Sequence, residues 1–309
     1  MRCPVRSRRS CHVVPGSNQR MLSRAATINA DVVILDLEDS VAEAQKSAAR
    51  TLVANTLLDW HPAAPTTALR INAVTTPHWH RDLIDLFSAA GVRIDVVVLP
   101  MVEVASQVTT VCDVLCALEG ELGLEPGRVG IEAQIETARG LVNVEAIAAA
   151  PRVEALVFGP GDFAASVGMS AQSIGAPLRN YPGDGWHYAL SKIAVTAKAF
   201  GLAAIDGPFA DFGDLEGLEQ AAFRSRALGF DGKWSIHPSQ VDVLNATYSP
   251  SAEELTWATG IVDACAAAEA RGLGAASHGG AMIDEASRKM AEGLLGRALS
   301  RRRPSPGSA

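Results

Sequence analysis

Two carboxylates and the runs before them carry the first chemical signal. In residues 129–168, VGIEAQIETARGLVNVEAIAAAPRVEALVFGPGDFAASVG, Glu136 follows the apolar run Val129–Ile135, and Asp162 follows a second run, Val153–Phe158. Between them Leu141, Val144 and Ile147 recur at helical spacing until Pro151 closes the helix. Gly159-Pro160-Gly161 reads as a turn leading to Asp162. Strand, helix, strand makes the two runs parallel neighbours about 4.8 Å apart, so side chains just past their ends can converge on one divalent cation. Carboxylate oxygens with water in the remaining positions suit Mg²⁺ and also admit Mn²⁺. The same pair also fits a plainer role, with Glu136 capping the next helix and Asp162 serving as a turn acid.

The elements that must position these acids recur along the chain. Further strands are expected at Cys11–Val14, Asp31–Leu37, Ala68–Ile71, Asp95–Leu99, Leu202–Ile205 and Lys233–Ile236. The near-continuous apolar runs DVVILDL and DVVVL suit strands buried on both faces of a parallel sheet. Helical patterns fill nearly every gap, including about 18–29, 77–90, 104–118, 186–200 and 215–228. Eight strands alternating with helices predict an α/β (β/α)8 TIM barrel over residues 10–245. A doubly wound sheet is disfavoured, because no G-x-G-x-x-G turn follows the first strand. Residues 250–299 read as a C-terminal helical extension or lid. Ser251 and Glu254 stand in capping-box register, and a loop, GLGAASHGGA, precedes the last helix. Residues 1–9 and 300–309 read as flexible tails.

In such a barrel, chemistry gathers at the carboxyl ends of the strands. Those ends carry Glu38 and Asp39, Arg70, Glu136, Asp162, Asp206 and His237. One guanidinium among several acids suits a reaction in which an enolate or carboxylate develops beside a metal. Arg70 can equally be a structural ion-pair partner of Glu38 or Asp39, and both roles are compatible. Asp206 reads as a turn residue before Gly207-Pro208, and His237 as a packed residue or a base. No lysine ends an expected strand, which argues against a Schiff-base aldolase.

Composition narrows the partners. The 309 residues are 48% hydrophobic with a formal charge of −7, and the basic residues are scattered, which disfavours nucleic acid. No apolar run approaches the roughly 20 residues of a membrane span, and the basic N-terminus lacks a secretory core. Cys112 and Cys116 stand four apart without a further metal-ligand pattern, and the cysteines read as buried apolar groups in a reduced, cytoplasmic protein.

A set of motifs runs in order along the chain: VVPGSN at 13–18, DVVILDLEDSV at 31–41, LRIN at 69–72, QIETARG at 134–140, FGPGDFAASVGM at 158–169, AIDGPFADFGD at 204–214, LGFDGKWSIHPSQ at 228–240 and MIDEASRKMAE at 282–292. On these the chain resembles the acyl-CoA ester lyases related to the citrate lyase β subunit, in the HpcH/HpaI aldolase superfamily. It is most similar among them to the L-malyl-CoA/β-methylmalyl-CoA lyases. The resemblance implies a carbon–carbon lyase that cleaves a malyl-CoA-type thioester to glyoxylate and acetyl-CoA or propionyl-CoA. It places Mg²⁺ on Glu136 and Asp162, and Arg70 on the acyl or oxo-acid part and the developing enolate. Glu38 and Asp39 would organise the arginine and metal waters. Val13, Val14 and Arg24 match CoA-contacting positions, while Gly161, Ile236 and His237 match other substrate contacts. Asn18 departs from relatives that carry a second basic residue for the CoA phosphates. Asp284 matches an acid/base in the lid supplied by a neighbouring subunit, which implies a homo-oligomer, a trimer or hexamer. The loop Ser173–Asp184 is shorter than in some relatives. Citramalyl-CoA cleavage, thioester hydrolysis, a CoA-independent pyruvate-type aldolase and a non-catalytic CoA-binding subunit are the rival readings.

Overall fold

Alternate residues of the apolar runs point to opposite sides, and here both sides are dry. Val32 and Ile34 turn inward, packing with Cys11, Val13, Ala68, Val96, Val98, Ala155, Val157, Ile205 and Trp234. Val33 and Leu35 turn outward into a larger core shared with the surrounding helices. The structure is a computed structural model that describes residues 6–178 and 181–299. Its strands are β1 (Ser10–Pro15), β2 (Val32–Asp36), β3 (Thr66–Arg70), β4 (Val96–Leu99), β5 (Gly130–Ile135), β6 (Val153–Phe158), β7 (Ala203–Asp206) and β8 (Gly232–Ser235). All pair in parallel with their sequence neighbours, and β8 closes on β1, giving the expected (β/α)8 barrel. The chain divides into two compact units between Tyr248 and Ser249.

The barrel floor is charged. Glu132 lies on the inward face of β5, and Glu154 is the extra residue where the β5–β6 register shifts. Both reach Arg8, at 2.7 Å and 2.6 Å respectively. Burial works against the Arg8 charge, but the two acids outweigh it and raise its pKa. Gly232 permits the close approach, since a Cβ there would lie 1.6 Å from the Arg8 carbonyl. Residues 6–9 therefore depart from the flexible tail expected of them. Arg8 is buried and Arg9 pairs with Asp31 at 2.6 Å, because buried acids await these cations. Residues 1–5 and 300–309 lie outside the described residues.

Two local expectations fail. Gly159-Pro160-Gly161 opens a helix, Pro160–Val167, with proline in its first turn, where a missing N–H costs nothing. In the second unit, helices Ala252–Glu269 and Glu285–Leu299 flank an antiparallel hairpin, β9 (Ala276–His278) with β10 (Ala281–Ile283), where a loop was expected. Gly279 and Gly280, both at positive φ, make its two-residue turn. Ser251 caps the first helix as its sequence predicts.

Candidate active site

Arg70 is the last residue of β3, and its register partner on β2 is Asp36. Their inward side chains form a two-pronged ion pair: Nε and Nη2 donate to Oδ1 and Oδ2, each at 2.7 Å. Nη1 lies 2.9 Å from Glu38 Oε2, outside hydrogen-bond geometry, and donates to Asp39 Oδ2 at 3.5 Å. Burial opposes the guanidinium charge, but Asp36, Glu38 and Asp39 keep it protonated. The loop carrying those acids is itself built on Asp36, which accepts from the Glu38 N–H at 2.9 Å and from Ser40. Lys46 Nζ pins the same loop through the carbonyls of Leu37 and Glu38. The structural partnership of Arg70 with Glu38 and Asp39 is thus real, but its main partner is Asp36.

Glu136 follows β5 directly and is buried. Its Oε1 accepts from the Met101 N–H at 2.6 Å, and Oε2 accepts from Gln134 Nε2. Met101 has a φ of 52°, a left-handed conformation costly for a side chain of its size, held just after β4 where its N–H meets the carboxylate. Burial raises the Glu136 pKa to about 7, resisted by the Met101 bond and reinforced by Asp162. Asp162 sits in the first turn of its helix, partly open to solvent, its pKa raised by partial desolvation and by Asp39 against the pull of Arg70. Burial pushes Glu38 to about 8, offset in part by Arg70 and reinforced by Asp39 and Glu136. Gly159 leaves the space that Glu136 occupies, since a Cβ there would fall 2.3 Å from Oε2.

This donor set fits a divalent cation. Burial and neighbouring acids disfavour the charged form of both carboxylates, and a bound cation would favour it. Among the described residues, no three His, Cys, Asp or Glu side chains are grouped to enclose a metal. Two carboxylates with water and substrate completing the shell is a common way to hold Mg²⁺.

The other sequence candidates are distributed differently. Val13 faces the barrel interior and Val14 the outer core. Asn18 caps the helix Gln19–Ala25, accepting from the Met21 N–H at 3.1 Å, and Arg24 is exposed on that helix. Gly161 lies in the Pro160–Val167 helix, with Ile174 3.3 Å from where its Cβ would be. Ile236 donates its N–H to Gln240 Oε1 at 2.9 Å. His237 is exposed, stacked on Phe212 at 5.1 Å and bonded through Nδ1 to Ser239 Oγ at 2.7 Å. Asp284 belongs to the second unit and caps its last helix, accepting from the N–H groups of Ala286 and Ser287 at 3.0 and 3.1 Å. Those bonds, that from Ser287 first, hold its pKa below the usual carboxylate value. Asp206 turns away from the barrel interior and binds Lys233 Nζ at 2.7 Å, so it stands apart from the acid cluster. Asp36, Met101, Gln134 and Gly159 were not among the site candidates expected from the sequence. Only Asp36 left a usable signal, because residues 32, 34 and 36 share one face of β2.

Residues 9–238 match the HpcH/HpaI aldolase/citrate lyase family. The chain belongs to that family. Among its members, an L-malyl-CoA/beta-methylmalyl-CoA lyase of Cereibacter sphaeroides is 40% identical over 94% of this chain and 95% of its own. A mitochondrial citramalyl-CoA lyase of Rattus norvegicus is 34% identical over 95% of this chain and 86% of its own. The crystal structure of protein CitE from Mycobacterium tuberculosis, in complex with magnesium, acetoacetate and coenzyme A, superposes with a TM-score of 0.76. It is 34% identical, covering 96% of this chain and 99% of that one. The family assignment and the barrel agree with the resemblance read from the motifs.

Proposed function

We propose that the protein is a magnesium-dependent carbon–carbon lyase. It splits a malyl-CoA-type 3-hydroxyacyl-CoA thioester into glyoxylate and acetyl-CoA or propionyl-CoA, reversibly. The observation that carries this is a guanidinium fixed by an acid fork at the barrel mouth, beside the Glu136 and Asp162 pair. The substrate class follows from likeness to the malyl-CoA lyase along almost the whole of both chains.

Glu136 and Asp162 would hold the ion. When bound, magnesium polarises oxygens of the substrate and favours loss of its hydroxyl proton. As that proton leaves to solvent, the hydroxyl-bearing carbon becomes the aldehyde carbon of glyoxylate. The bond between it and the carbon next to the thioester breaks, and its electron pair passes into the thioester enolate. Arg70 stabilises the enolate oxygen through N–H groups not engaged by Asp36. A proton from solvent, passed through Asp284 of another copy of the chain, turns the enolate carbon into the methyl of acetyl-CoA or the methylene of propionyl-CoA. Val13, Val14, Asn18, Arg24, Gly161, Ile236 and His237 would contact the thioester and its CoA. On this reading the enzyme is a cytoplasmic homo-oligomer, trimer or hexamer.

The test is a mass-spectrometric panel of malyl-CoA, β-methylmalyl-CoA and citramalyl-CoA with and without Mg²⁺. Glyoxylate and an acyl-CoA should appear from the first two. Pyruvate from citramalyl-CoA alone would move the protein to the citramalyl branch. Free CoA without glyoxylate would make it a thioesterase, and no turnover of any ester would refute the proposal.

A further inference from the structure

Trp234 lies on β8 and points into the barrel, 2% exposed, among Val13, Ile34 and Val98. Its indole lies against the Arg70 guanidinium, with Arg70 Cζ 5.2 Å from the ring centroid. Its Nε1–H is buried and has no partner among the described residues. Packing alone does not explain this choice. Phenylalanine or leucine would fill an apolar interior without stranding a donor, and a buried unpaired donor is a standing cost. Tryptophan is the side chain whose face attracts a cation most strongly.

We infer that Trp234 is a positioning residue for Arg70, supplying the ring face that fixes the guanidinium plane which Asp36 fixes only at its edge. Two parallel hydrogen bonds from Nε and Nη2 set direction and register, while Nη1 is held only by a 3.5 Å bond to Asp39 and lies beside Glu38 outside hydrogen-bond geometry, so the group can still tilt about the fork. The Trp234 ring beneath Arg70 Cζ limits that tilt. The plane decides where the remaining N–H groups point. That matters because an oxyanion donor works only when aimed at the atom where charge develops. The inference rests on the proposed reaction only for its kinetic consequence. The geometry is a property of the protein without substrate.

The test uses the full chain. Trp234→Leu should lower kcat about tenfold or more with KM for the cleaved ester within about threefold, as expected when an interaction realised in the transition state is weakened. Trp234→Phe, which keeps an aromatic face, should recover most of the loss. In an Arg70→Lys background there is no guanidinium plane to hold, so Trp234→Leu should cost little more. Additive losses would show that Trp234 does not act through Arg70. Independently of activity, the Arg70 side-chain N–H resonances should be shifted upfield by the indole, identified by their disappearance in Arg70→Lys. The shift should vanish in Trp234→Leu. Wild-type kcat in the leucine variant, or an unshifted Arg70 signal in the wild-type protein, overturns the inference. If no CoA ester is cleaved but the shift is present and lost in Trp234→Leu, the reaction assignment fails and the positioning stands. If the leucine variant does not fold, the wild-type shift together with the kinetics of Trp234→Phe decides.

Discussion

Gly159→Ala is the sharpest way to ask whether the placement of Glu136 matters. Gly159 has φ −105° and ψ 89°, backbone angles open to alanine, so the substitution tests space and not backbone strain. The added Cβ would lie 2.3 Å from Glu136 Oε2 and 2.5 Å from Glu136 Cβ. Ordinary contact begins at 3.4 Å, so the carboxylate must retreat by about 1.1 Å. The second clash is with a Cβ, not a flexible tip, so rotation of the side chain cannot relieve it alone and the end of β5 must shift. A misplacement of about 1 Å at a reacting centre costs on the order of a hundredfold in rate. We therefore expect kcat to fall about a hundredfold and the Mg²⁺ concentration for half-maximal activity to rise. The assay is initial-rate kinetics over a Mg²⁺ titration, with circular dichroism to show an intact fold. An alanine variant that matches the wild type in both kcat and Mg²⁺ requirement would refute the argument that Gly159 makes room for a metal-binding carboxylate.

Arg70→Lys keeps the charge but loses the planar fork to Asp36, and kcat should drop about 10²–10³-fold in steady-state assays. Asp284→Asn should be nearly inactive while still binding Mg²⁺ and the CoA ester by calorimetry. Mixing dissociated Asp284→Asn and Arg70→Ala oligomers should restore part of the activity, and exchange shown by mass without recovery would place the acid elsewhere. Arg8→Leu leaves buried Glu132 without its cation and Glu154 with Arg6 alone, and should lower stability by about 3–5 kcal/mol in urea unfolding, with kcat per folded molecule unchanged.

The barrel was legible because its strands, buried on both faces, read as continuous apolar runs and its helices as 3.6-residue patterns. The carboxyl-end rule then gathered Glu38, Asp39, Arg70, Glu136 and Asp162 without coordinates. What stayed hidden depends on parity and on space. DVVILDLEDSV presents three acids to the eye, yet only the side-chain alternation of β2 tells that Asp36 meets Arg70. Met101 and Gly159 act through a backbone N–H and an absent side chain, neither of which has a residue-type signature. Arg8 was misread because a run of arginines looks solvated until its buried partners on β5 and β6 are known. The helix at Pro160–Val167 was missed because a Gly-Pro-Gly turn signal and a proline at a helix start look alike in sequence.

The charged floor has a kinetic consequence for how this chain assembles. Arg8 meets Glu132 and Glu154 across 124 and 146 residues of sequence. Such contacts form only after large loops close, so they belong to the late, slow part of folding. Until then the two acids sit at the base of an open sheet, where burying them unpaired is unfavourable, and a half-built barrel is kept from collapsing into a dry, off-register stack. The pairing of an N-terminal arginine with the middle of the chain thus acts as a check on ring closure. The base is charge-paired only when the residues before β1 have reached β5 and β6.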